Sequence, residues 1–173
     1  LWAHCDRING PVANAARNSL QTGDFEGTAI WVGKEQENEL RERFDQCLAV
    51  RDHGLRAKEM AERYFVETAV RLHRESEGFP YTGLKPAGPL PPDIAAAEKG
   101  LQAGDLNPVL SLLSDEMKKE VRKWFEKTLK AQGQKDKSVE AGRKWVDAYV
   151  KYIIYVHGLF QSIQAGPAHG VSD

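Results

Sequence analysis

Between Gly78 and Pro92 the chain reads Gly-Phe-Pro-Tyr-Thr-Gly-Leu-Lys-Pro-Ala-Gly-Pro-Leu-Pro-Pro. Proline has no backbone N–H and a fixed φ, and glycine is costly to order, so neither a helix nor a central strand survives such a run. The stretch is a connector. It also carries Phe79, Tyr81 and Leu84, apolar anchors for which an unstructured linker has no use, so an ordered path is predicted.

On either side of this connector one pattern is written twice. Ala15-Ala16 and Leu20-Gln21-Thr22-Gly23-Asp24 return as Ala95-Ala96-Ala97 and Leu101-Gln102-Ala103-Gly104-Asp105, at a shift of about 81 positions. The same shift sets Glu39, Arg41, Phe44 and Leu48 on Glu120, Arg122, Phe125 and Leu129. A small insertion near Gln132 to Ser138 then brings His73 opposite His157. The expected fold is all-α: two tandem helical repeats of about 80 residues, packed with pseudo-twofold symmetry into one helical bundle. Repeat one covers about residues 4–78, the connector about 78–91 and repeat two about 92–164, with a flexible tail at 165–173.

Within the first repeat, Pro11 suits the first turn of a helix with Asn9 or Gly10 as its cap, and Gly23 ends it. The segment Phe25 to Val32 turns the chain. An amphipathic helix follows over about Lys34 to Arg51, with the stripe Leu40, Phe44, Cys47. Asp52-His53-Gly54 breaks it, and a further helix covers about Leu55 to Glu75.

Bulk properties narrow the function classes. A net charge of -1 gives no electrostatic case for nucleic acid or an anionic membrane. No apolar run reaches the roughly 20 residues of a membrane span. Leu1-Trp2-Ala3 resembles the end of a secretory signal peptide, with small Ala3 before a cut, which implies an extracytoplasmic (periplasmic or secreted) protein. A phosphate loop, a dinucleotide fingerprint, a His-Glu-x-x-His helix and a Cys-x-x-Cys-His haem motif are all absent.

The residues with chemistry lie at the start. His4, Cys5 and Asp6 stand in a row just ahead of a helix N-terminus, where the dipole favours a thiolate. At the repeat shift His4 and Cys5 fall opposite Lys85 and Pro86, so the scaffold does not itself require His-Cys there in both halves. His and Cys suit copper, nickel or zinc, and Asp6 can add an oxygen. On the long helix, His73 falls on the apolar side and Glu77 lies one turn beyond it, able to ligate or to orient the imidazole. The bland reading is an N-terminal strap with a buried cysteine and a satisfied core histidine. Glu67 and Arg71 read as an i,i+4 structural pair. Tyr149, Tyr152 and Tyr155 around His157 read as core.

Two resemblances follow from these residues. The His-Cys-Asp opening followed by Gly10-Pro11-Val12, the helix with Glu67, Arg71 and His73, and the connector from Glu77-Gly78 to Gly83-Leu84-Lys85-Pro86-Ala87-Gly88 resemble an uncharacterised family of secreted helical proteins from bacteria and archaea. That resemblance implies export and a helical fold. The triplet with Gly10 is also similar to the nickel hook of nickel superoxide dismutase, in which the terminal amine, the His side chain, a backbone amide and two thiolates hold the metal. His4 and Cys5 match that hook, while Ile8 stands at its proline and Asn9 at its second cysteine.

The functional expectation is an exported metal-binding protein, with redox catalysis as the activity such a centre would extend to. His4 and Cys5 are the primary ligands, and Asp6, His73 or Glu77 complete the set. The alternative is a non-enzymatic module that binds a small molecule or a partner, lined by Tyr81, Tyr149 or Tyr152 and stapled by a Cys5–Cys47 disulfide. Homo-oligomerisation is compatible with either.

Overall fold

The structure, a computed structural model, describes residues 4–168 and 170. Leu1-Trp2-Ala3, read above as a signal-peptide end, lie outside the described residues, as do most of the last residues of the tail. The described residues form an all-α fold with seven α-helices: α1 Pro11–Thr22, α2 Glu26–Ala29, α3 Lys34–Arg51, α4 Leu55–Ser76, α5 Pro92–Ala103, α6 Asn107–Gln132 and α7 Val139–Ala165. Among the described residues no helix is long and apolar enough to cross a membrane. The chain divides into two units, the first ending at Pro89 and the second spanning Leu90–Ala168.

In the first unit Gly10 is the N-cap of α1 and Pro11 its first residue; Gly23, at φ 79°, ends it by returning its N–H to Ser19 O. Gly54, at φ 115°, lets α4 start directly after α3. The two long helices pack side by side, and α1 lies on α4. One apolar core results. Val12, Ala16 and Leu20 of α1 meet Leu40, Phe44 and Cys47 of α3 and Phe65, Val66, Ala69 and Val70 of α4, all buried. The rings of Phe25, Phe44 and Phe65 stack in series at 5.5 and 5.3 Å between centroids. Cys47 therefore belongs to the core stripe. The turn between α1 and α3, over Phe25 to Val32, contains the short α2. A buried hydrogen bond of 2.8 Å from Thr28 Oγ1 to Ser19 Oγ clips α2 to α1.

The connector is ordered as its apolar anchors implied. Its segment near Lys85 pairs with the chain start: Lys85 N donates to Asp6 O at 2.8 Å, and Ile8 N donates to Lys85 O at 2.9 Å. Arg7 Nη1 reaches Pro89 O at 2.8 Å. Tyr81 and Leu84 pack against the core.

In the second unit α6 and α7 run side by side, joined by a 3-10 turn at Lys135–Lys137, with Ser138 Oγ capping α7 at Ala141 N. Trp124 meets Tyr155 and Phe125 meets Tyr152, at 6.2 and 5.8 Å between centroids. Thr128 Oγ1 donates to Trp124 O and Ala148 O. Among the described residues of this unit no large apolar side chain is fully buried. The tyrosines of α7 are not core: Tyr149 and His157 are exposed, Tyr152 and Tyr155 half-buried.

Candidate functional site

The site is assembled where the chain start crosses the end of α4. His4–Asp6 form a 3-10 turn, closed by Arg7 N donating to His4 O and Gly10 N donating to Arg7 O. A Cβ at position 10 would lie 2.4 Å from His4 O, so only glycine lets the strap cross the mouth of α1. The connector pins the other edge of this turn through Lys85. The last turns of α4 supply His73 and Arg74, and Glu77 follows at its C-cap.

Four side chains interlock there. Arg74 Nη1 donates to Glu77 Oε2 at 2.7 Å, and Arg74 Nε faces Asp6 Oδ1 at 3.4 Å. The guanidinium lies over the Phe79 ring, 4.8 Å from its centroid. All three charged groups are largely withdrawn from water, so each depends on the others for compensation. Burial pushes the Asp6 carboxyl above the usual range, and the Arg74 charge works against that shift. Asp6 Oδ1 and Arg74 Nε have no hydrogen-bond partner, which marks this contact as a loose ion pair.

His73 is the informative residue. It is buried, and its Nδ1 stands 2.6 Å from Trp31 O. A carbonyl only accepts, so Nδ1 carries the hydrogen and a neutral ring presents a lone pair at Nε2. That atom has no hydrogen-bond partner, and Glu77 Oε1 faces it at 3.8 Å. Two acceptors turned toward each other in a buried place call for a donor or a cation between them: a proton on the ring, a water donating to both, or a shared metal ion. Cys5 is half-buried against the same cluster. Burial, then the charges of Glu77 and Asp6, push its thiol up to about 11, so it is protonated at neutral pH unless a cation claims it.

The structure thus brings Cys5, Asp6, His73 and Glu77 into one neighbourhood, with His4 on the same turn. Among the described residues no three His, Cys, Asp or Glu side chains stand already converged as a metal-holding group. Cys5 and Cys47 are both free thiols, and the disulfide of the alternative reading is not formed. Glu67 and Arg71 do not pair with each other. Glu67 takes Arg63 at 3.1 Å, while Arg71 takes Glu75 at 2.9 Å and also Glu39, because these partners sit better along and between the helices. Arg74 and Trp31 were not legible as site residues. An arginine beside Arg71 on a charged helix looks like surface, and the Trp31 contribution is a backbone carbonyl.

A second feature of this unit is a cleft of about 710 Å³ lined by Ile8, Arg63, Glu67, Tyr81, Leu84 and Lys85, among others.

Fold and site together define a helical protein whose first unit closes an N-terminal strap over a buried acid–base cluster, with an ordered Pro/Gly connector as the outer wall. The chain belongs to the family of unknown function DUF6448, whose model matches residues 9–155. The match begins just after the His-Cys-Asp triplet and contains His73, Arg74, Glu77 and the whole connector. No curated protein and no solved structure matches the chain.

Proposed function

We propose that the first unit binds a transition-metal ion, copper, nickel or zinc, at the end of α4. The observation that carries this reading is the buried His73 Nε2, oriented by the Trp31 carbonyl, faced by the Glu77 carboxylate and given no hydrogen bond by the protein. A histidine held by a carbonyl at one nitrogen and open at the other is how metal-ligating imidazoles are set. The His73 Nε2 lone pair is the anchor, the Cys5 thiolate and the Glu77 carboxylate are the neighbouring ligands, and His4 and Asp6 complete the set. Because these groups are not converged, binding would draw the 3-10 turn toward α4. The likeness to the nickel hook adds only that His4 and Cys5 are the right ligand types. Copper or nickel here would supply one-electron redox chemistry. The extracytoplasmic location belongs to the same proposal, and fractionation of the native host tests it.

The test is elemental analysis with titration of the metal-free protein. About one equivalent bound by the parent protein, and loss of binding in Cys5→Ala and in His73→Ala with helicity unchanged, is the expected result. Metal retained in both variants would sink the assignment.

A second reading rests on the cleft, whose apolar wall of Ile8, Tyr81 and Leu84 lies beside the charges of Arg63, Glu67 and Lys85. Such a lining suits a small zwitterionic molecule with an apolar body. Of the alternative's tyrosines only Tyr81 lines it. We also propose that the two units are tandem copies of one helical motif, on the sequence correspondences given above.

A further inference from the structure

We infer that this protein is a dimer in which α5 of one copy packs on α7 of the other, an exchange of the helix that in the first unit closes the core. The inference rests on the tandem reading and on what the second unit leaves uncovered.

In the first unit α1 lies along α4 and buries Leu20 to 5% exposure against its neighbours. The counterpart of Leu20 is Leu101 on α5, which is 86% exposed. The counterparts of the buried Phe65, Val66, Ala69 and Leu72 are Tyr149, Val150, Ile153 and Val156 on α7, and all four are exposed. Leu101 on α5 and this face of α7 are therefore both left uncovered within the second unit, while the buried Val12 of α1 is answered by Asp93. The α7 face is built as a seam. Val139, Gly142, Val146, Tyr149, Ile153, Val156, Phe160 and Ile163 alternate in steps of three and four, the heptad spacing that packs one helix on another. No acidic or basic side chain interrupts that stripe, and after Lys151 α7 carries no Asp, Glu, Lys or Arg, His157 being its one ionisable side chain besides tyrosine. A helix apolar on so much of its circumference is a buried helix.

The reason α5 does not close on its own α7 lies in the turn. After α1 the chain caps at Asp24, makes the short α2 and breaks at Gly33, the N-cap of α3. After α5 it caps in the same way, Asp105 Oδ1 accepting from Asn107 N, but Gly33 is replaced by Ser114. The hydroxyl pair of Ser19 and Thr28 is replaced by Gly100 and Val109. With neither the breaker nor the clip, α6 runs straight from Asn107 to Gln132, and α5 packs on α6 instead of α7. A hinge turned into continuous helix, with its terminal helix and the matching groove both exposed, is the arrangement from which two copies exchange that helix.

Light scattering on the full chain at about 50 µM tests this, with far-UV circular dichroism to check each variant. The expected mass is twice 19.3 kDa for the parent, and monomers for Leu101→Asp and for Ile153→Asp with helicity retained. Both substituted positions are exposed in the single chain, so neither should prevent its folding. A monomeric parent overturns the exchange and leaves the tandem reading standing. A dimer lost in Ile153→Asp but intact in Leu101→Asp overturns it in favour of direct α7–α7 pairing, and the structural equivalence of α5 with α1 falls with it. A dimer intact in both places the interface elsewhere and also overturns it.

Discussion

Replacing Arg74 by methionine isolates what holds the N-terminal strap to α4. The guanidinium is the sole cation in contact with both Asp6 and Glu77 among the described pairs, and the side chains of Arg74, Asp6 and Glu77 are 8%, 10% and 13% exposed. Methionine keeps most of the stem packing and removes the charge, so two nearly buried carboxylates lose their compensation. Breaking a buried pair by deleting one partner costs about 3–5 kcal/mol. The Arg74–Asp6 contact at 3.4 Å is loose, which puts the expected loss at the lower end, about 3 kcal/mol. The pH dependence carries the sign. Burial already holds Asp6 above its ordinary value of 3.8 and Arg74 opposes that shift, so the variant raises it further. The unfolded chain titrates at the ordinary value. The Asp6 share of the penalty therefore falls on the ionised form: it is full above the raised folded value and vanishes below about 3.8. Urea unfolding of parent and variant at neutral pH and at about pH 4 measures both quantities. A neutral-pH loss under about 1 kcal/mol, or a loss that does not shrink on acidification, would refute a compensated buried cluster.

Three further outcomes follow from the first unit. Alkylation of metal-free Cys5 near neutral pH should run about a hundredfold slower than that of an ordinary thiol, since moving the pKa from 9.0 to about 11 cuts the thiolate fraction by that factor; mass spectrometry of timed iodoacetamide reactions checks it. Ser19→Ala or Thr28→Val alone should cost about 1–3 kcal/mol by stranding a buried hydroxyl, while the double variant should cost less than the sum, a cycle read by chemical denaturation. Gly10→Ala should displace the 3-10 turn and destabilise the unit by about 1–3 kcal/mol, because the new methyl meets His4 O at 2.4 Å, and Cys5 should become faster to alkylate.

Much of the fold could be read before any coordinates. Pro11, Gly23 and Gly54 punctuate the helices by backbone geometry that belongs to the residue itself, and the stripe Leu40, Phe44, Cys47 points inward because its spacing matches a helical turn. The candidate site was legible only as ingredients. His73 and Glu77 could be placed one turn apart, but the Trp31 carbonyl that orients the imidazole comes from 42 residues away. The loss of the Glu67–Arg71 pair has the same origin. Local spacing allowed it, and Glu39 and Glu75 supplied better partners once α3 lay against α4.

Sequence alone determined that the chain is helical, where its helices break, and that Gly78 to Pro92 is a connector, because these depend on backbone freedom and on periodicity within one segment. Only tertiary structure decided which uncompensated atoms meet at the end of α4, and that α5 lies on α6 while α1 lies on α4. Gly33 and the Ser19–Thr28 hydroxyl pair mark where the first unit turns between α1 and α3, and their weight shows only once the helices are packed, since neither stands out in a local pattern.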